Sequence, residues 1–150
     1  MITYDILNIP SEHELRALFD SVGWAQMLTD AELQLAIDKS SHLVTAWDDT
    51  ELVGLIRSMD DGIYSANIDL LLVHTDYQNK GIGTTLITKL LEQMSNIKCI
   101  STSPNESKNF GLYQRCGFKL VDGSGLLQLE NVIYTKSNEG ESKTGISWNM

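Results

Sequence analysis

Gln78-Asn79-Lys80-Gly81-Ile82-Gly83-Thr84-Thr85 is the stretch whose residue types and spacing can do chemistry. Two glycines one residue apart, between an apolar run and an amphipathic stretch, let the backbone approach a ligand closely. The free N–H groups of a first helical turn then point at that ligand. Such a turn favours an anion, usually a phosphate, because the helix macrodipole adds positive potential there. Lys80 adds a full charge, and the hydroxyls of Thr84 and Thr85 add donors. The competing reading is a glycine-rich turn that only packs a helix against a strand. The segment is not a P-loop, which needs Gly-Lys-Ser/Thr after a four-residue spacer, and it lacks the third glycine of the dinucleotide fingerprint. Cys99 and Cys116 show no CxxC spacing and do not cluster with His13, His42 and His74. They are expected to be reduced thiols, and no metal site is expected.

The elements that must position this turn are legible in outline. Ile2 to Leu7 has the β-branched, alternating look of a first strand, ended by Pro10. Ser11-Glu12-His13-Glu14 fits a capping box, and Gly23 stops the helix that follows, which spans about Glu12 to Val22. Thr29-Asp30-Ala31-Glu32 is a second capping box, opening a helix with Leu33, Ala36 and Ile37 on its apolar face. Three antiparallel strands follow, His42 to Trp47, Glu51 to Ser58 and Ile63 to Val73, with a hairpin signal at Asp61-Gly62. Leu70 to Val73 is a continuous apolar run, expected of a strand covered on both faces. Ile82, Leu86, Ile87, Leu90, Leu91 and Met94 form the stripe of an amphipathic helix. Ile97 to Ser101 is expected as the next strand, followed by a break at Pro104-Asn105. A helix with Phe110, Tyr113 and Cys116 comes next, then a strand from Gly117 to Val121 and a last strand from Asn131 to Thr135.

With the turn and the element order in place, the chain resembles the GNAT superfamily of N-acetyltransferases. The family signature is Gln/Arg-x-x-Gly-x-Gly/Ala after a strand, matched in register by Gln78, Gly81 and Gly83. A second motif, a helix with Leu-Tyr followed shortly by Gly-Phe, is matched by Leu112-Tyr113 and Gly117-Phe118. The resemblance implies an α/β (α+β) fold: a mixed, mostly antiparallel central sheet of about six or seven strands with helices on both faces. It also implies acetyl-CoA as donor, its pyrophosphate on the turn formed by Gln78, Asn79, Lys80, Gly81, Ile82, Gly83 and Thr84. The pantetheine arm would pair like an extra strand with Leu71, Leu72 and Val73, where family members splay the fourth and fifth strands apart. Lys108 and Arg115 are candidates for assisting the phosphates, with solvation the competing reading, favoured for Arg115. Tyr113 is placed as general acid beside the departing sulfur, or else is a core aromatic.

Departures from the family pattern bear on the base. Histone-type members carry a Glu where this chain has Asn67, and Asp69, two residues on, is the candidate catalytic base or else a brace of the sheet. In family members without a placed carboxylate, water drains the proton. In the second motif the family's Asn and Ala fall at Glu106 and Asn109, and Asn105 is the candidate substitute among the cofactor residues. The acceptor pocket of this fold lies by the first two helices, which makes Trp24 and Met27 substrate candidates. Cys116 has no basic partner in view and is expected to be inert.

Composition narrows the partners. The 150 residues carry 11 Lys+Arg against 20 Asp+Glu, a formal net charge of −9. That balance argues against a nucleic-acid partner, since affinity for a polyphosphate comes from Lys and Arg displacing counterions, and it favours a cationic acceptor over an acidic one. No apolar run approaches a membrane span and no signal peptide is evident, so a cytoplasmic protein is expected. Residues 1–135 are expected as one domain. Residues 136–150 form a tail whose alternating Ile146, Trp148 and Met150 are candidates for packing on the domain or on a homodimer partner. Two functions follow. One is transfer of an acetyl group to a primary amine of a small molecule or peptide by direct attack in a ternary complex. The other is a CoA-binding sensor or partner-binding module without turnover.

Overall fold

The computed structural model describes residues 1–104, 108–121 and 125–131. The strand expected over Asn131 to Thr135, the cofactor candidate Asn105 and the tail from 136 fall wholly or largely outside them.

Strand β1 (Ile2–Asp5) leads into helices α1 (Glu12–Val22) and α2 (Asp30–Asp38), both opened by the expected capping boxes at Ser11 and Thr29. Strands β2 (His42–Asp48), β3 (Glu51–Asp60) and β4 (Ser65–Val73) follow. β4 begins later than Ile63 because the Asp61 carboxylate accepts from the N–H groups of Ile63, Tyr64 and Ser65, which holds Ile63 and Tyr64 in the turn. A 3-10 turn over Thr75–Tyr77 precedes α3 (Ile82–Gln93). Then come β5 (Cys99–Thr102), α4 (Lys108–Arg115), β6 (Lys119–Val121) and β7 (Leu126–Glu130). β7 is the last strand among the described residues, and the strand expected over 131–135 lies largely outside them. Asn131 clasps the chain, its side-chain amide donating to the carbonyls of Met94 and Ile97.

Among the described residues seven strands form one sheet in the order β1-β2-β3-β4-β5-β7-β6. Every pairing is antiparallel except β4 with β5. On one face, α1 and α2 bury Leu15, Leu18, Phe19, Leu33 and Ile37 against Leu43, Leu55 and Leu72. On the other, α3 buries Ile82, Leu86, Ile87 and Leu90 against Val44, Ile56, Ile68 and Leu71. The apolar run of β4 does serve both faces, Leu70 and Leu72 on one and Leu71 and Val73 on the other.

A bulge makes this division possible. Arg57 pairs with Leu70 and Ser58 with Ile68, which leaves Asp69 unmatched. Ahead of the bulge Ala66 and Ile68 face α3, and beyond it that face passes to Leu71 and Val73. One inserted residue has moved the strand's alternation by one step, as such bulges do.

Candidate active site

β4 and β5 pair from Ser65 with Cys99 to Ile68 with Thr102, and there β5 ends. From Asp69 to Val73 the β5-facing edge of β4 has no strand beside it among the described residues. The Thr102 hydroxyl closes the fork by donating to the Ile68 carbonyl at 2.8 Å. Such an edge offers a row of N–H and C=O groups to an extended, amide-bearing ligand.

The open edge leads into the glycine turn. Gly81 is the N-cap of α3 with φ 83°, and Asn79 also has a left-handed φ of 63°. These two residues turn the chain sharply enough to aim the first N–H groups of α3 outward, where they have no intrahelical acceptor. Gly83 lies where α3 meets α4, and a Cβ there would stand 3.3 Å from the Leu112 Cδ1. Gln78 ties the turn to its surroundings: its amide donates to the Val73 carbonyl at 3.1 Å and its oxygen accepts from the Lys108 ammonium at 3.0 Å.

A cavity of about 300 Å³ runs along this path. It is lined by Leu71, Leu72, Val73, Gln78, Asn79, Gly81, Ile82, Gly83 and Thr84, the cofactor candidates among the described residues apart from Lys80. The Lys80 ammonium lies instead over the Tyr77 ring, 5.4 Å from its centroid. Positive charge at the cavity comes from Lys108 and Arg115, and Arg115 is both a lining residue and exposed to solvent. Tyr77, absent from the sequence reading, also lines it. The Tyr77 hydroxyl donates to Asp48 at 2.7 Å, and that bond to a carboxylate pushes its pKa up to about 12. The donors present, a helix N-terminus, two cations and an open strand edge, fit a phosphate-bearing cofactor with an amide-bearing arm.

A second cavity of about 280 Å³ lies at the fork and shares Trp24, Leu71 and Asn109 with the first. Tyr113 and Asp69 line it together with Asn67, Thr102 and Ser103. Tyr113 is 2% exposed and packs edge-to-face on Phe118 at 5.1 Å, with its hydroxyl toward Thr102. Burial pushes its hydroxyl far above its ordinary pKa, with the neighbouring Thr102 hydroxyl pulling the other way. Asp69 is the bulged residue, and both its oxygens accept from Arg57, at 2.5 and 2.9 Å. Arg57 also donates to the Ala36 carbonyl at 3.1 Å, linking β4 to the end of α2.

The structure brings Trp24, Asp69 and Tyr113 together but corrects Met27, which is 85% exposed and lines neither cavity. The α1–α2 loop turns at Ala25, whose φ is 59°, and this leaves Trp24 inward and Met27 outward. Arg57 and Asn109 were missed as site residues. Asn109 had one signal, its departure from the Ala of the motif it resembles. Cys116 is held as a thiol, since burial raises its pKa.

Residues 9–127 match the family described as acetyltransferase (GNAT) domain. An uncharacterized N-acetyltransferase, ycf52, of Pyropia yezoensis is 30% identical over 112 residues, 71% of this chain and 63% of that protein. The chain thus spans under two thirds of that curated relative. Among solved structures, a GNAT-family acetyltransferase of Streptococcus pneumoniae superposes with a TM-score of 0.69 at 30% identity, covering 80% of this chain and 89% of that one. The PaiA N-acetyltransferase of Thermoplasma acidophilum, solved in complex with coenzyme A, superposes with a TM-score of 0.64 at 19% identity, over 85% and 99% of the two chains.

Proposed function

Because this chain belongs to the GNAT acetyltransferase family, we propose that it is an acetyl-CoA-dependent N-acetyltransferase in which an amine attacks directly within a ternary complex. The fork carries this reading: an open β4 edge runs into a helix N-terminus along one cavity, and a second cavity, which Tyr113 lines, meets it at Trp24, Leu71 and Asn109. Acetyl-CoA, when bound, supplies an activated acetyl thioester. The first-turn N–H groups of α3, with Lys108 and Arg115, would hold its phosphates, and the edge from Leu71 to Val73 would pair with its arm.

The chain's own groups then have distinct tasks. A backbone N–H on the open edge of β4 beyond Ile68 is suited to stabilise negative charge growing on the acyl oxygen. The Tyr113 hydroxyl stays protonated at neutral pH and can donate a proton as charge builds on sulfur. Asp69 keeps to binding and orienting the amine, because its two oxygens already accept from Arg57, and the amine proton leaves through water. Burial of Tyr113 also favours the runner-up, a CoA-binding module without turnover.

Thermal stability with and without acetyl-CoA, together with thiol release against a panel of amines, separates the readings. Stabilisation with thiol release is expected. Stabilisation with no release on any amine would favour the module, and neither effect would remove both readings.

A further inference from the structure

Among the described residues lining the second cavity, Asp69 alone carries a charge at neutral pH. Asn67, Thr102, Ser103 and Asn109 are polar and uncharged, and the raised pKa of Tyr113 keeps it neutral. The cations near the site belong elsewhere: Lys108 and Arg115 line the first cavity only, and Arg57 lines neither. Arg57, with its side chain 14% exposed, grips the Asp69 carboxylate from behind, whereas the Asp69 side chain is 40% exposed. A carboxylate offers about four acceptor positions, of which Arg57 takes two, so the others remain for an incoming donor. An entering molecule therefore meets a fixed carboxylate, already paired with Arg57, and no cation on the cavity wall. An ammonium or amine N–H finds an acceptor there, with the Trp24 indole as an apolar wall. A second carboxylate finds no cation on the wall to pair with, so its loss of solvation goes uncompensated.

We propose that the second cavity seats a small amine that carries no carboxylate, selected by the Asp69 carboxylate that Arg57 holds in place. The proposal rests on the acetyltransferase reading and names the acceptor class of that site. Arg57 acts through Asp69 and is a positioning residue.

The test uses matched pairs of an amine and its parent amino acid: cadaverine and lysine, tyramine and tyrosine, tryptamine and tryptophan. Thiol release gives kcat/KM for the intact chain, Asp69→Asn, Arg57→Gln and Arg57→Lys, and calorimetry follows acetyl-CoA binding to each. The wild type is expected to favour an amine over its amino acid by about tenfold or more, and Asp69→Asn to bring the two within about threefold. Arg57→Gln should raise the amine KM while leaving that for acetyl-CoA unmoved, and Arg57→Lys should restore part of the loss. Equal or better use of the amino acids would overturn the proposal. So would Asp69→Asn lowering both values by one common factor with the ratio kept, a result that would mark Asp69 as the base. Acetyl-CoA binding without turnover of any amine would overturn it as well. Failure to bind acetyl-CoA would instead remove the acetyltransferase reading beneath it.

Discussion

Tyr113 combines a core position with a polar atom at the fork. Its ring is 2% exposed and lies against Phe118, while its hydroxyl meets Thr102, the residue that closes the β4–β5 pairing. Removing the hydroxyl alone separates these roles. Tyr113→Phe keeps the ring packing, and Thr102 still has the Ile68 carbonyl. Turnover should fall by about a hundredfold or more, the scale of a lost general acid, with acetyl-CoA affinity unchanged by calorimetry. Unaltered turnover would remove Tyr113 from the mechanism. At this scale local spacing makes the glycine turn at Gly81 and Gly83 legible, whereas Gln78 and Tyr113 are singled out through the resemblance to the family. It does not reveal Arg57, whose importance comes from a partner across the sheet at Asp69. Nor does it separate Trp24 from Met27, because the left-handed turn at Ala25 has no glycine to announce it.

Capping boxes and apolar stripes made the helices legible at the scale of elements, since each is a short-range pattern with a local hydrogen-bond cause. The strand ends were less so, as β4 shows twice. Its start is delayed by the Asp61 carboxylate, which collects three backbone N–H groups, and its middle is shifted by the Asp69 bulge. Both depend on pairing that periodicity does not encode. The Asp61 turn carries a pH signature. Its bonds to Ile63, Tyr64 and Ser65 hold the Asp61 pKa below the ordinary 3.8, so the folded state favours the charged form. The contribution is fully present above the unfolded pKa and is lost as pH falls through the lower folded value. Asp61→Asn should therefore lower Tm at neutral pH, and its gap to the wild type should close as pH drops below 3.8. A gap that persists undiminished into strong acid would show that the charge of Asp61 does not hold the turn.

The whole molecule resolves a tension in its composition. A net charge of −9 argues against polyanion partners, yet the first cavity is suited to a phosphate-bearing cofactor. Oriented backbone N–H groups with Lys108 and Arg115 make a local anion seat that needs no basic surface. Among the described residues that line the second cavity, Asp69 is the one acidic side chain. No helix among the described residues is long and apolar enough to cross a membrane. The central claim is that one cofactor lies along the open β4 edge and across the head of α3. Amide hydrogen exchange with and without acetyl-CoA tests it most directly. The account predicts slowed exchange at Leu71 to Val73 and at Ile82 to Thr84, with the β1–β2 edge unchanged; protection confined elsewhere, or none at saturating acetyl-CoA, would contradict it.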